Sequence, residues 1–270
     1  MKIALVTLAA VVALAVPAAS AAPTYPSSIA ALGDSITRAF DTCSFPFIDC
    51  PANSWATGTN GSVNSLYERL LPLNPQIGGH NYNDAKTGAK MSDLPGQAAT
   101  AATQQAAAVT ILMGANDVCT SSVATMTDPV VLGNDLRSAL TTLASNDPNG
   151  QIYIASIPNV YRLWQILHTN LAADFVWTVA GICQSLLANP LSTSAADQAR
   201  RLQVQQRTIA DNAQIAAVCG EFAGRCHFDN NAVYNLAFTA SDVTTRDYFH
   251  PNVTGQAKAA ATTWAAFFGP

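Results

Sequence analysis

The sequence predicts an α/β domain in which a parallel β-sheet is covered by helices on both faces. Two observations carry this. Three short apolar runs recur along the chain, and helix-like stretches fall between them. In such a sheet, ligands bind beyond the carboxyl ends of the strands. The residues that follow each run are therefore the first place to look for chemistry.

Met1-Lys2 gives a short positive start, and Ile3 to Val16 is an apolar run with Thr7 as its one polar residue. Ala19-Ser20-Ala21 then fits a small-residue cleavage site, so residues 1–21 read as an export signal. The apolar run is too short for a comfortable membrane span, and nothing later is long and apolar enough to be one. Residues 22–270 suit a single domain. The first strand is Ile29-Ala30-Ala31-Leu32, ending in Gly33-Asp34-Ser35, with a helix expected to open near Ser35. Val109 to Met113, followed by Gly114-Ala115-Asn116-Asp117, is the second, and Gln151 to Ala155 the third. Helices are expected over 92–108, over 128–143 with its Asp-Pro start, and over 194–223 and 253–268.

Nearly half the chain is apolar (49%) and only 11% charged, which allows a sizeable core. Thirteen Lys and Arg against seventeen Asp and Glu leave it mildly acidic, without a basic patch. Nucleic acid and anionic membrane are thereby disfavoured as electrostatic partners. The even count of six cysteines in an exported chain reads as three disulfides. Six cysteines allow fifteen pairings. Neighbour pairing is the simplest: Cys43–Cys50, Cys119–Cys183 and Cys219–Cys226. On the chain-entropy model each short loop contributes roughly 2.5 kcal/mol and the long one about 4. A metal site has no support, since there is no Cys-x-x-Cys and no cysteine–histidine cluster at zinc spacing.

Ser35, just past a strand-terminating glycine, is a candidate nucleophile, although a serine there is also a common helix cap. The sequence around it is not Gly-x-Ser-x-Gly, so an α/β-hydrolase elbow is not indicated. His250 in Asp247-Tyr248-Phe249-His250 is a candidate base, because a serine hydroxyl needs a neighbouring group to take its proton. Asp247 is within reach to fix the imidazole tautomer. Asn116 is a candidate donor to an oxyanion, and Gly88 in Lys86-Thr87-Gly88-Ala89-Lys90 allows a backbone amide close approach. Each fragment alone has a plain reading as a turn or a cap. Their order is more telling.

Gly33-Asp34-Ser35, Gly88, Gly114-Ala115-Asn116-Asp117 and Asp247-Tyr248-Phe249-His250 together resemble the SGNH hydrolases, also called GDSL esterases and lipases. The four blocks span residues 33 to 250. The closest likeness is to secreted actinobacterial members, with similarity to phospholipase B-type enzymes around Ser54-Trp55-Ala56-Thr57-Gly58. Ile36 stands where the family often has leucine, a conservative departure. The resemblance implies a flavodoxin-like three-layer α/β/α domain that hydrolyses carboxylic esters through an acyl-enzyme, without cofactor or metal. It makes Ser35 the nucleophile, His250 the base and Asp247 its orienting group. The amides of Ser35 and Gly88, with the Asn116 side chain, become the oxyanion hole. In some members a backbone carbonyl takes the aspartate's place, which leaves both options open for His250.

The expected substrate is a small-molecule or lipid ester, and the expected state a monomeric, secreted protein. A carbohydrate O-acetylesterase and an inactive exported binding protein are the alternatives. A Cys119–Cys183 bridge would tie the Asn116 loop to the apolar segment 160–183, which is expected to be either a wall or flap of the acyl site or an ordinary core helix. His168 reads as packing, His80 carries no further signal, and His227 beside Cys226 reads as part of a short strand. Asp34 and Asp117 read as loop braces.

Overall fold

The computed structural model describes residues 25–269; the expected export signal, residues 1–21, lies outside them. Five strands form one parallel sheet: β1 Ile29–Gly33, β2 Asn81–Asn83, β3 Ala108–Leu112, β4 Gln151–Ile154 and β5 Cys226–Phe228, in the order β2-β1-β3-β4-β5. That is the doubly wound, flavodoxin-like order. The nine α-helices of the described residues are α1 Leu66–Leu70, α2 Leu94–Gln104, α3 Ala115–Val118, α4 Pro129–Asn146, α5 Val160–Leu167, α6 Leu171–Ala180, α7 Gln184–Leu187, α8 Ala195–Gly220 and α9 Val253–Phe268.

Strand periodicity divides the core between two faces. Ala30, Leu32, Val109, Ile111, Ile152 and Ile154 face α2, α4 and α8. Ile29, Ala31, Ala108, Leu112 and Tyr153 face Trp55, α1 and α9. A third apolar cluster, built from α5, α6, α7 and Val118, sits beside the strand ends. The long helices start where their caps dictate: Asp128 accepts from Val130 N (2.8 Å) before Pro129, Ser194 from Asp197 N (3.2 Å), and Asn252 from Gly255 N (3.0 Å).

Two expectations change. β2 is a polar edge strand, Asn-Tyr-Asn, so no apolar run announces it. No regular helix follows Ser35; residues 35–41 form successive hydrogen-bonded turns, because Ala39 (φ 48°) and Asp41 (φ 63°) take left-handed conformations. Any help for an anion near Ser35 thus comes from individual amides rather than a helix dipole. The disulfides are Cys43–Cys50, Cys119–Cys183 and Cys219–Cys226.

Asp211 on α8 is fully buried, and neither carboxyl oxygen has a partner among the described residues. Burial pushes its pKa up to about 7, against the opposing pull of the Arg207 charge. Below pH 4 both the folded and the unfolded chain hold this proton. As pH rises toward 7 only the folded chain keeps it, so stability falls through that window. Thermal melts should therefore show Asp211→Asn gaining several degrees over the parent at pH 8 and almost nothing at pH 4. An equal gain at both would show that the carboxyl's charge is not the cost.

Candidate active site

The reversal of strand order leaves a crevice between β1 and β3, paired with Gly33 opposite Leu112. Ser35 follows the first strand by two residues and Asn116 the second by four. Both turns depend on glycine at a close approach. A Cβ on Gly33 (φ 153°) would lie 2.4 Å from the Leu112 carbonyl oxygen, and one on Gly114 (φ 119°) 2.4 Å from Ile157 Cδ1. Gln97 of α2 then clamps Gly33 from below. Its Oε1 accepts from Gly33 N (2.8 Å), and its Nε2 donates to Gly33 O (2.9 Å).

His250 arrives from the other end of the chain. Its Nε2 lies 2.8 Å from Ser35 Oγ and its Nδ1 2.6 Å from Asp247 Oδ2. With the carboxylate accepting at Nδ1, the Nδ1–H donates and Nε2 is left to accept the serine hydroxyl. Tyr248 (φ 54°) turns the chain so that Asp247 Oδ1 also accepts from Phe249 N (2.8 Å) and His250 N (3.0 Å). Burial pushes the Asp247 pKa up, but the His250 ring and these two amides outweigh it and hold the carboxyl below its ordinary value. The ring itself lies 4.9 Å from Phe40 and 5.1 Å from Phe249. The loop is pinned at its base, where Thr244 N donates to His250 O (2.9 Å) and Asn252 N to Asp242 O (2.9 Å). Gln256 on α9 joins it to the Ser35 turn, donating to Ile36 O (2.8 Å) and accepting from Trp55 N (3.0 Å).

Gly88 (φ 81°) lies in a turn closed by Ala89 N to Lys86 O (3.0 Å), and Lys86 N donates to Gly33 O (3.1 Å). Asn116 Nδ2 donates to Ala89 O (2.9 Å), which spends one of its two hydrogens and leaves the other for the crevice. Asp117 Oδ2 accepts from Met91 N (2.9 Å), and Asp34 Oδ1 from Ile36 N (2.9 Å). Burial pushes the Asp34 pKa up to about 7, and that of Asp117 upward as well.

Ser35, Asn116, Phe249 and His250 stand where two spaces meet. One is a pocket whose deep wall is Leu112, Val233 and Ala259, closed on the outer side by Val160, Leu163 and Ile166. The other is an open cleft bordered by Gly88, Phe40, Phe47, Ala180, Ile182 and the Cys119–Cys183 bridge. Of the 160–183 segment, α5 thus lines the pocket. On α6, Trp177 is core, whereas Phe175 faces solvent. His168 stacks on Trp164 (4.4 Å), His80 is exposed, and His227 lies in β5 with Nε2 2.8 Å from Gln151 Oε1.

The model of the GDSL-like lipase/acylhydrolase family matches residues 29–262. The chain belongs to that family. Membership makes it an ester hydrolase. Among curated proteins a search returns no match. Of solved structures, a protein from Parabacteroides merdae described as a GDSL-like lipase is 19% identical, with 90% of this chain and 96% of that chain covered and a TM-score of 0.53; that likeness is one of fold. An extracellular lipase from Streptomyces rimosus (15% identical, 86% and 95% covered, TM-score 0.49) and phospholipase A1 from Streptomyces albidoflavus (15%, 87% and 96%, 0.48) are also similar.

Sequence reading missed Gln97 and Gln256. The first was detectable: with Leu94, Ala98 and Ala101 it lies on one buried stripe of α2, where a lone amide needs a partner. Replacing Gln97 with leucine strands the Gly33 N–H, leaves Gly33 O with Lys86 N alone, and should lower stability by about 1–3 kcal/mol in a denaturant titration. Wild-type stability in that variant would mean that the clamp is dispensable.

Proposed function

We propose that this GDSL-family enzyme is an exported esterase that cleaves lipid-type carboxylic esters through an acyl-enzyme on Ser35. The observation that carries the reading is the chain of contacts Ser35 Oγ to His250 Nε2 to Asp247, opening onto a pocket walled by aliphatic and aromatic side chains. Ser35 Oγ attacks the ester carbonyl carbon while its proton passes to His250 Nε2. The carbonyl oxygen becomes an oxyanion, held by the N–H groups of Ser35 and Gly88 and the free Asn116 Nδ2 hydrogen. Collapse breaks the bond to the alcohol oxygen, which takes the proton from Nε2. Water, deprotonated by the same nitrogen, then attacks the acyl carbon and releases the acid and the serine. Asp247 holds the ring and stabilises the imidazolium throughout.

The apolar pocket favours an acyl chain longer than acetyl over an acetylated sugar. Export follows from the apolar lead of residues 3–16 and the three disulfides, with residues 1–21 as the removed signal and residues 22–270 as one catalytic domain, working as a monomer. No helix among the described residues is long and apolar enough to cross a membrane.

A fluorophosphonate probe should label Ser35, and Ser35→Ala should lose both labelling and turnover of aryl esters. Across a series of acyl lengths, kcat/KM should rise beyond acetyl; a maximum at acetyl would instead favour the acetylesterase. Asn116→Ala should lower kcat by roughly 100- to 1,000-fold. Asp247→Asn should lower it by about 10,000-fold if the carboxylate sets the tautomer. A drop under tenfold in the latter would pass the orienting role to a backbone carbonyl.

A further inference from the structure

Helix α6 is apolar on the wrong side. Ala173 and Trp177 bury one face in the core, as expected for a surface helix. The opposite face, however, carries Leu171, Phe175 and Val179 at 72%, 67% and 69% exposure, in line at i, i+4 and i+8. Asp174, half-buried, is the helix's one charged residue. A second apolar projection stands across the open cleft: the loop Phe45-Pro46-Phe47-Ile48, exposed throughout and free of charge.

That loop is built to be held out. The Cys43–Cys50 bridge closes its base, Asp41 Oδ1 accepts from Phe47 N (2.9 Å), and Arg246 donates to the carbonyls of Cys43 (2.8 Å), Ser44 (3.2 Å) and Phe45 (3.3 Å). Phe47 sits at φ 58°, a conformation that bulky residues rarely adopt unless their surroundings enforce it. The loop and the C-terminal end of α6 border the same opening. Phe47 lines the cleft from one side, Ala180 and Ile182 from the other, and Ser35 and His250 lie at its floor.

We propose that the exposed face of α6 and the 45–48 loop form a docking surface for a net-neutral lipid aggregate, which seats the cleft over its substrate. This rests on the lipid-ester reading above. The occupant follows from charge. The two projections carry no cation of their own, and Arg246 at the base of the loop is paired with Asp41 (3.0 Å) and spent on loop carbonyls, on a chain with a formal net charge of −4. A zwitterionic surface meets them without electrostatic penalty, whereas an anionic one repels the chain.

The test uses Ser35→Ala protein, so that binding is read without turnover, and phosphatidylcholine vesicles in a sedimentation assay. Phe175→Ser with Val179→Ser, and separately Phe45→Ser with Ile48→Ser, should each weaken partitioning at least ~10-fold. Val130→Ser with Val131→Ser, exposed on α4 away from the cleft, should leave it unchanged. Partitioning should shift by less than about twofold between low and 0.5 M salt. Unchanged partitioning in both projection variants, or an equal loss in the α4 control, would overturn the proposal. So would a parent dimer that the α6 variant dissociates while vesicle binding persists, since the face would then be a self-association surface. In Ser35-intact forms, hydrolysis of a soluble butyrate ester reports folding and chemistry separately. A parent inactive on every ester sinks the lipid-ester reading, while the vesicle result still judges the surface. If the α6 pair fails to fold, the loop pair alone decides.

Discussion

The lateral pairing of β1 with β3 at Gly33 and Leu112 is the constraint on which the candidate active site depends. Gly33 lies so close to the Leu112 carbonyl that no side chain fits between them. This contact sets the separation of the two turns that carry Ser35 and Asn116. Gln97 completes it by bonding both backbone groups of Gly33, whose N–H would otherwise be orphaned in a buried place. The Lys86–Ala89 turn is tied to the same glycine through Lys86, and Asn116 is tied to that turn through Ala89. Three chain segments therefore take their positions from one strand end.

The histidine loop takes its position from a second set of contacts. An isolated pairing of Val243 with Pro251 and the caps around Asn252 set its base, and Gln256 ties the following helix to Ile36 and Trp55. Arg246, beside Asp247, reaches Asp41 (3.0 Å) and the Cys43 carbonyl in the disulfide loop. The Asp-x-x-His segment is thus held from both sides before any substrate arrives, as preorganised catalysis requires.

Much of this was legible in the residues. Strands buried on both faces leave continuous apolar runs, so β1, β3 and β4 announced themselves, and capped helices did likewise. The edge strand β2 did not, because Asn81 and Asn83 spend their side chains on Thr57 and Thr37 rather than on a core. The turns after Ser35 were hidden for another reason: left-handed conformations at Ala39 and Asp41 are imposed by tertiary contacts, not by residue type. Gln256 was also opaque, since its partners lie some two hundred residues away. The inverted apolar face of α6 was visible as composition, but its exposure was not, because a hydrophobic helix ordinarily reads as core.

The deep wall of the pocket is shared property. Leu112, Val233 and Ala259 bound the space beside Ser35, and they are also members of the cluster that glues α9 to the sheet. Carving the pocket deeper means removing methyl groups from that cluster, and filling it means crowding a packed layer. On the lipid-ester reading proposed above, selectivity for the length of the bound chain is therefore coupled to fold stability on this side of the sheet. On the α5 side, where Leu163 and Ile166 are only half-buried, the two are largely uncoupled. Drift in substrate preference has an inexpensive route through the helix and a costly one through the sheet.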